Sequence, residues 1–443
     1  MSNKHLHLHL KERRRMKLKT LTTAMILATV PMTGAFAAAL DRSGQSISAF
    51  LQPGNYFEAG ISVLDPSVSG KVRNGYSPSA APPSAIGLQN TNLSDMGDDY
   101  YFPSAALKLQ VTDHFSFGLL YDQPFGADAT YSLSDTVSAA AGGVGLFHNG
   151  TETTEVEVKS QSISMIFGYQ PTENFNFYAG PVYQTIEGDV QLRGLAYGAT
   201  QALGMYNANI KEDSAVGWLA GFAYQIPEIA LKTSITYRSE IDHKASAREY
   251  GQSNVLAFVG SSPVYDVATD ANITTPQSVN LDFQTGIMAN TVAFANVRWV
   301  NWKDFSLDLK QFGTVADTLG ALGQTPDNPN GFDIVGYTDD QWSANVGVGR
   351  KFNDLWAGNV SVGWDSGAGN PISTLGPTEG YWNVGLGLQY SPTPATFIAG
   401  GVKYFWLGDA KAQAASNFGS DTYVAEFNDN DALAYGLKIG YKF

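Results

Sequence analysis

Ala434-Tyr435-Gly436-Leu437-Lys438-Ile439-Gly440-Tyr441-Lys442-Phe443 closes the chain and decides how its fold is read. Tyr435, Leu437, Ile439, Tyr441 and Phe443 take every second position, while Lys438 and Lys442 fall on the other face. A period of two is that of a β-strand whose faces meet different surroundings. Two settings suit it, the last strand of a soluble sandwich or a strand with one face in lipid. A strand ending on an aromatic carboxy-terminal residue resembles the terminal signal by which the barrel-assembly machinery recognises outer-membrane proteins, and that resemblance makes the machinery an expected partner during biogenesis.

The same pattern recurs upstream. From Tyr56 onward the chain repeats a segment of roughly ten alternating residues, a short turn, a second segment and a long polar or Gly-rich connection, as transmembrane barrels do. The first strand is read at residues 55–64, with Phe57, Ala59, Ile61 and Val63 on one face, ended by Asp65-Pro66. Strands at 99–111 and 114–122 follow, joined through Thr112-Asp113. Later tight connections fall at 170–174, 226–229, 289–291, 352–354 and 391–394. Long ones span 123–151, 190–213, 244–276, 303–338, 365–378 and 409–430. The count predicts an all-β fold, a transmembrane antiparallel β-barrel of about 14 strands with both termini periplasmic and the long loops outside. No core helix is expected, although residues 192–203 read as a short amphipathic one. Aromatic clusters at Tyr100, Tyr101 and Phe102, at Tyr381 and Trp382, and at Tyr404, Phe405 and Trp406 sit at strand ends, where interfacial girdles belong.

Composition agrees with a wall that alternates between lipid and lumen. The 443 residues are 44% hydrophobic and 12% aromatic but only 15% charged, with 46 Gly and no Cys. Mean hydropathy is −0.13, because apolar and polar faces average out. A soluble chain of this length would divide into several cores, a limit that a closed barrel escapes.

The longest apolar run, residues 21–30, is too short to span a bilayer as a helix of roughly 20 residues. Lys17 and Lys19 precede it and Ala35-Phe36-Ala37 follows, which reads as a secretory signal cleaved near Ala37. Met16 is an alternative start, and His5, His7 and His9 lie in the upstream extension. Segments 1–37 (extension and signal), 38–54 and 55–443 (barrel) are therefore expected. Losing residues 1–37 removes seven basic residues and one acid, taking the net charge from −14 to −20. Such a surface repels nucleic acid. It suits extracellular loops beside outer-membrane lipid and lipopolysaccharide.

Several stretches resemble the outer-membrane transport family for long-chain fatty acids and aromatic hydrocarbons (FadL type). Leu40-Asp41-Arg42-Ser43-Gly44-Gln45-Ser46, residues 55–70, residues 115–127 and above all residues 217–240, ending in Tyr237-Arg238-Ser239-Glu240, carry the likeness, with weaker matches at 299–302 and 359–371. The resemblance implies a 14-stranded barrel whose lumen is plugged by an N-terminal hatch, here 38–54. It implies passive uptake of hydrophobic molecules, with capture among the loops, an apolar lumenal pocket and sideways release through the wall. The family's Asn-Pro-Ala hatch element is replaced by Phe50-Leu51-Gln52-Pro53-Gly54-Asn55, so Gln52, Pro53, Gly54 and Asn55 mark the hatch end. The chain is expected to act as a monomer without cofactor or metal.

Candidate site residues follow from chemistry. Each methylene moved from water to an apolar pocket gains roughly 0.8 kcal/mol, enough for a long tail to bind without an energy source, and no Walker-type loop is present. Capture calls for apolar side chains on polar loops: Phe147, Leu192, Leu195, Leu203, Met205 and Tyr206, which otherwise pack on one another to hold the loop. Arg193 and Lys211 are the nearest cations for a carboxylate head. Gly118, Pro124, Phe125 and Gly126 lie where a strand meets its loop; Pro removes a ladder donor and Gly permits a bulge, and the family resemblance puts the lateral opening there. Arg238 and Glu240, two apart on one strand, are read as lumenal charges. An enzyme would need a nucleophile, a His and a carboxylate in register, and His114, His148 and His243 form no such set. A water-filled porin for polar solutes and an aromatic-hydrocarbon channel stay open as alternatives.

Overall fold

In the computed structural model, residues 39–77 and 87–443 are described. The expected signal segment and Pro78, Pro82 and Pro83 lie outside them. Eighteen hydrogen-bonded strand segments form one sheet that closes on itself. Four wall strands are broken in two, so the segments make fourteen strands: β1 (Tyr56–Ser67), β2 (Tyr100–Gln110), β3 (Phe115–Asp122 and Gly126–Thr130), β4 (Glu155–Tyr169), β5 (Phe175–Arg193), β6 (Met205–Ile226), β7 (Leu231–Arg238 and Ile241–Gln252), β8 (Val264–Thr275 and Ser278–Met288), β9 (Thr291–Val300 and Ser306–Leu309), β10 (Gln341–Lys351), β11 (Trp356–Asp365), β12 (Tyr381–Tyr390), β13 (Thr396–Leu407) and β14 (Asp431–Lys442).

Closure is made by β1 against β14, in unbroken antiparallel register from Tyr56 opposite Lys442 to Ser67 opposite Asp431. A closed cylinder gives every wall N–H and C=O a neighbour, the condition for leaving water. The alternation read in β14 is observed: Leu437, Ile439 and Tyr441 face outward and Lys438 is buried inward, 3.0 Å from Glu58 of β1. Phe167, Phe222, Val346, Val360 and Leu386 continue the outer apolar belt.

Each expected aromatic cluster divides between the two faces. Tyr101, Trp382 and Trp406 point out, whereas Tyr100, Tyr381 and Phe405 are buried inside. Trp364, Trp382 and Trp406 stand in cross-strand register and form part of an upper girdle. At the other rim, with the chain termini, Phe115 and Tyr169, Phe175 and Tyr224, and Trp356 and Tyr390 make a lower one, with ring centroids about 5 Å apart.

Four expectations need correction. Strand β1 runs through Pro66 to Ser67; beyond Leu64 it pairs only with β14, so the N–H that Pro lacks is not needed on the open side. The stretches 190–213 and 244–276 are largely strand rather than loop, because β5 to β9 rise beyond the membrane as a ridge whose outer residues are polar. Residues 195–197 and 199–201 form only single 3₁₀ turns there. A helix, α1 (Lys310–Ala321), lies within the loop 303–338, its buried Phe312, Val315, Ala316 and Leu319 spaced as one helical face. The buried Glu249 carboxylate of β7 accepts the N–H groups of Gln311 and Phe312 at 2.9 and 2.7 Å, and the Tyr206 and Thr269 hydroxyls, which docks that helix on the ridge. Short strands at Gly70–Val72, Asn92–Leu93, Ile372–Ser373, Ala410–Gln413 and Ala425–Phe427 form a five-stranded sheet among the loops.

Candidate functional site

The wall is incomplete between β2 and the upper segment of β3. Strand β2 pairs with β3 only from Ala105 opposite Tyr121 down to Gln110 opposite Ser116. Above that, β3 breaks at Gln123-Pro124-Phe125 and its upper segment pairs with β4 alone. A bare strand edge in a membrane wall is costly, and here substitutes cover it. The Arg42 N–H donates to the Pro124 carbonyl at 2.7 Å, the Gly126 N–H to the Leu40 carbonyl at 2.9 Å, and Asp41 bridges Phe125. The Phe125 N–H is taken by Ser160 Oγ of β4 at 2.8 Å, and the Thr130 N–H by the Met96 carbonyl. Between them the Tyr100 hydroxyl donates to the Asp128 carbonyl at 2.8 Å and accepts the Asp128 N–H. Residues 40–42 thus act as an extra stave where β2 does not reach.

Residues 39–55 continue from that stave into the lumen as a plug. Its principal anchor is a buried ion pair: Arg298 of β9 contacts both carboxylate oxygens of Asp41 at 2.8 and 3.1 Å, and also Gln45 Oε1 and Asn280 Oδ1. Arg238 donates to the Gln45 carbonyl and to Ser164 Oγ, and Ser43 Oγ to Asp122. Glu240, expected on the same face, is exposed, because residues 239–240 interrupt β7 and reset its alternation. Phe50 is fully buried at the plug's base, edge-on to Tyr178 and directly over Gly118 and Gly168, which have no side chain to fill that hollow. Beyond it, Lys108 Nζ donates to the Gln52 carbonyl at 2.6 Å and Lys232 Nζ to the Leu51 carbonyl at 2.7 Å. Asn55 Oδ1 accepts the Gln110 N–H, while Pro53 and Gly54 face the periplasmic mouth.

The plug separates chambers of unlike chemistry. Above it, a space of about 930 Å³ is lined by Ala127, Ala129, Val156, Val158, Ile186, Val190, Ile210, Ile273, Leu307, Ile334 and Leu375, floored by Ala39 and Leu40. Tyr337 lines it too; burial pushes that hydroxyl well up, so it stays neutral. Below, a space of about 1320 Å³ has a mixed lining, in which Lys232, Asn280, Asp282, Asn296, Asn345, Asn359, Lys403 and Lys438 stand among Ile47, Leu51, Phe283, Val292, Phe294, Leu386 and Val402. A third, of about 840 Å³, abuts the wall break, with Phe102, Ser104, Tyr121, Asp122 and Gln123 around it.

The expected capture residues are brought together in the core that adjoins the apolar chamber, but none of them lines it. Phe147 stacks on Tyr131 with centroids 3.9 Å apart and lies 6.1 Å from Tyr197; Leu192, Leu203 and Tyr206 are buried in the same loop core, and Leu195 packs against it. Arg193 is occupied by Glu152 at 2.8 Å and by the carbonyls of Leu192 and Tyr206. Met205 is half-buried beside Asn149, and Lys211 is exposed on the outer face of β6. Pro124, Phe125 and Gly126 do lie at the wall break, whereas Gly118 lies lower, beneath Phe50. His243 bonds Asp213 and Gln184, and His148 is buried against the Asp135 carbonyl; no hydroxyl joins either as a triad among the described residues. The chamber's wall residues were not singled out in the sequence. Their signal is there nonetheless, since Val156 and Val158, and Ile186, Val190 and Ile210, are apolar on the inward face of strands above the belt.

A family described as outer membrane protein transport protein (OMPP1/FadL/TodX) matches residues 37–443. Among solved structures, a Pseudomonas aeruginosa FadL homologue superposes with a TM-score of 0.65 at 15% identity, covering 96% of this chain and 98% of that one. The P. putida toluene transporter TodX gives 0.57 at 12%, covering 89% and 91%. The Ralstonia pickettii toluene transporter TbuX gives 0.56 at 12%, covering 94% and 97%. Comparison with curated protein sequences gives no match.

Proposed function

Since the chain belongs to the OMPP1/FadL/TodX family of outer-membrane transporters, non-enzymatic channels for hydrophobic compounds, we propose that it takes up long-chain fatty acids or similar apolar molecules passively, receiving them in the chamber above the plug and releasing them sideways through the break in β3. The observation that carries this reading is the contrast between the chambers. An alkyl chain transferred from water into the upper one gains roughly 0.8 kcal/mol per methylene. Continuing straight down would take it past Lys232, Asp282, Lys403 and Lys438, charged groups that the upper chamber's lining largely lacks and that reduce that gain. The break between β2 and β3 leads instead out through the wall just above the apolar belt, at the level of the upper chamber's Ala127 and Ala129.

An aromatic hydrocarbon cargo is the nearest alternative, favoured by the toluene transporters among the structural relatives. A porin for sugars fits less well, because Asp41, Arg298 and Phe50 hold the plug in the lumen. Thermal unfolding with oleate, toluene and glucose, paired with liposome swelling, tests the proposal. Stabilisation by oleate and none by glucose, with vesicles that do not swell in sugar, is expected. Rapid swelling in sugar with no effect of either apolar ligand would overturn it.

A further inference from the structure

The upper chamber and the chamber at the wall break share one lining residue, Arg42. Its guanidinium carbon lies 4.2 Å from the centre of the Tyr100 ring, and its Nη2 donates to the Tyr100 hydroxyl at 2.9 Å. That hydroxyl is the group that spans the missing part of the wall, bonded to both the carbonyl and the N–H of Asp128. Tyr100 itself belongs to β2 and lines the apolar chamber, with Phe102 stacked on it on the side of the break. One phenol therefore joins three parts of the molecule: the plug through Arg42, one side of the break through its own strand, and the other through Asp128.

From this geometry, and resting on the reading of the break as the release route, we propose that Tyr100 is the gate of that route and Arg42 its latch. Together with the backbone bonds of Leu40, Arg42 and Met96, the hydroxyl takes the place of ladder hydrogen bonds that β2 cannot make to the upper half of β3, so at Asp128 the wall holds by a side chain that can swing. A backbone ladder cannot open without loss of register; a tyrosine rotamer can. Arg42 holds the ring flat through a cation–π contact and a hydrogen bond, so movement of residues 40–42 frees it. Tyr100 is then a positioning residue for release and contributes little to how tightly cargo is held in the chamber, whose contact area lies on Ile186, Ile273, Leu307 and their neighbours.

The test separates holding from release. Protein in detergent is loaded with pyrene, an uncharged fluorescent hydrocarbon, and its affinity measured; the loaded protein is then mixed rapidly with phosphatidylcholine vesicles and the transfer rate followed. Tyr100→Phe keeps the ring and loses the hydroxyl bridge. It should leave affinity within about twofold and speed transfer at least fivefold, as expected when hydrogen bonds of roughly 1 kcal/mol each are lost from the closed state. Arg42→Met should likewise speed transfer. Tyr197→Phe, which removes a hydroxyl bonded to Thr374 within the loop core, should change neither. Unaltered transfer in Tyr100→Phe, or a loss of affinity that matches the gain in rate, would overturn the gate while leaving uptake standing. Failure of the unsubstituted protein to bind pyrene, oleate or toluene would overturn the proposed function and the gate with it.

Discussion

Replacing Asp41 by Ala should undock the plug. The Asp41–Arg298 pair is buried on both sides, and Arg298 has two other protein acceptors, Gln45 Oε1 at 3.1 Å and Asn280 Oδ1 at 2.8 Å. Removing one partner of a buried pair costs about 3–5 kcal/mol, since the remaining charge is left without its counter-ion. The two neutral acceptors stay within reach of the guanidinium, which places Asp41→Ala near the lower end of that range. A loss of about 3 kcal/mol lowers the docking constant by roughly two orders of magnitude. Hydrogen exchange of residues 39–55 in detergent reads this directly: their protection should fall by about a hundredfold while that of β10 to β13 is unchanged. Planar-bilayer recordings should show flickering conductance that the unsubstituted protein lacks. The reasoning contains its own control, because an apolar replacement of both partners is often neutral. Asp41→Leu combined with Arg298→Met should therefore regain most of the protection. Equal protection in Asp41→Ala and the unsubstituted protein would refute the assignment of the anchor, and so would a double variant as open as the single one.

Three further outcomes follow from other contacts. Glu249→Ala removes the acceptor of two α1 N–H groups and two hydroxyls, so loop 303–338 should become sensitive to protease, with about 2–3 kcal/mol less protection in residues 310–321 and an intact barrel. Gly118→Leu places side-chain atoms where Phe50 sits, an overpacking of about 1–3 kcal/mol that should loosen the plug, whereas Gly400→Ala, whose nearest neighbour would be 3.5 Å away, should not; exchange of residues 47–52 distinguishes them. Glu379, in the loop before β12, has its carboxyl pushed up to about 7, first by burial and then by Asp365, against the Gly369 N–H that favours the charged form. Its folded value exceeds its unfolded one, so the stability it contributes is full below about pH 4.5 and declines as pH rises to about 7, with no further loss above. Protection of residues 366–380, corrected for intrinsic exchange, should decline across that window, and Glu379→Gln should flatten the profile.

The wall was legible because lipid and lumen impose a period of two on every strand, and Tyr435 to Phe443 display it without interruption. Pro124 and Gly126 announced the break in the same local way, one lacking a donor and the other admitting a bulge. The ridge was harder to read, since above the membrane the outer face of β7 and β8 carries polar residues such as Arg248, Asp266 and Asp270 and the inner face small ones such as Ala245, Ala247 and Ala271, and strand then looks like loop. The α1 helix was missed although Phe312, Val315, Ala316 and Leu319 show its spacing, because its cap, Glu249, lies sixty residues earlier. The chamber depends on the same kind of distant pairing. Phe147 and Leu192 are as apolar as Ile186 and Ile273, and only the three-dimensional closure of the loops decides which pair faces a void and which fills a core. Arg193 likewise reads as a free cation until Glu152 is brought beside it.

The most direct test is a crystal structure of the purified protein soaked with a long bromoalkane, whose bromine can be located by anomalous scattering. The account predicts bromine between Val156, Ile186, Ile273 and Leu307, above a plug whose Asp41 still meets Arg298. Bromine among Lys232, Asn345 and Lys403 on the periplasmic side, or none within the barrel, would contradict it.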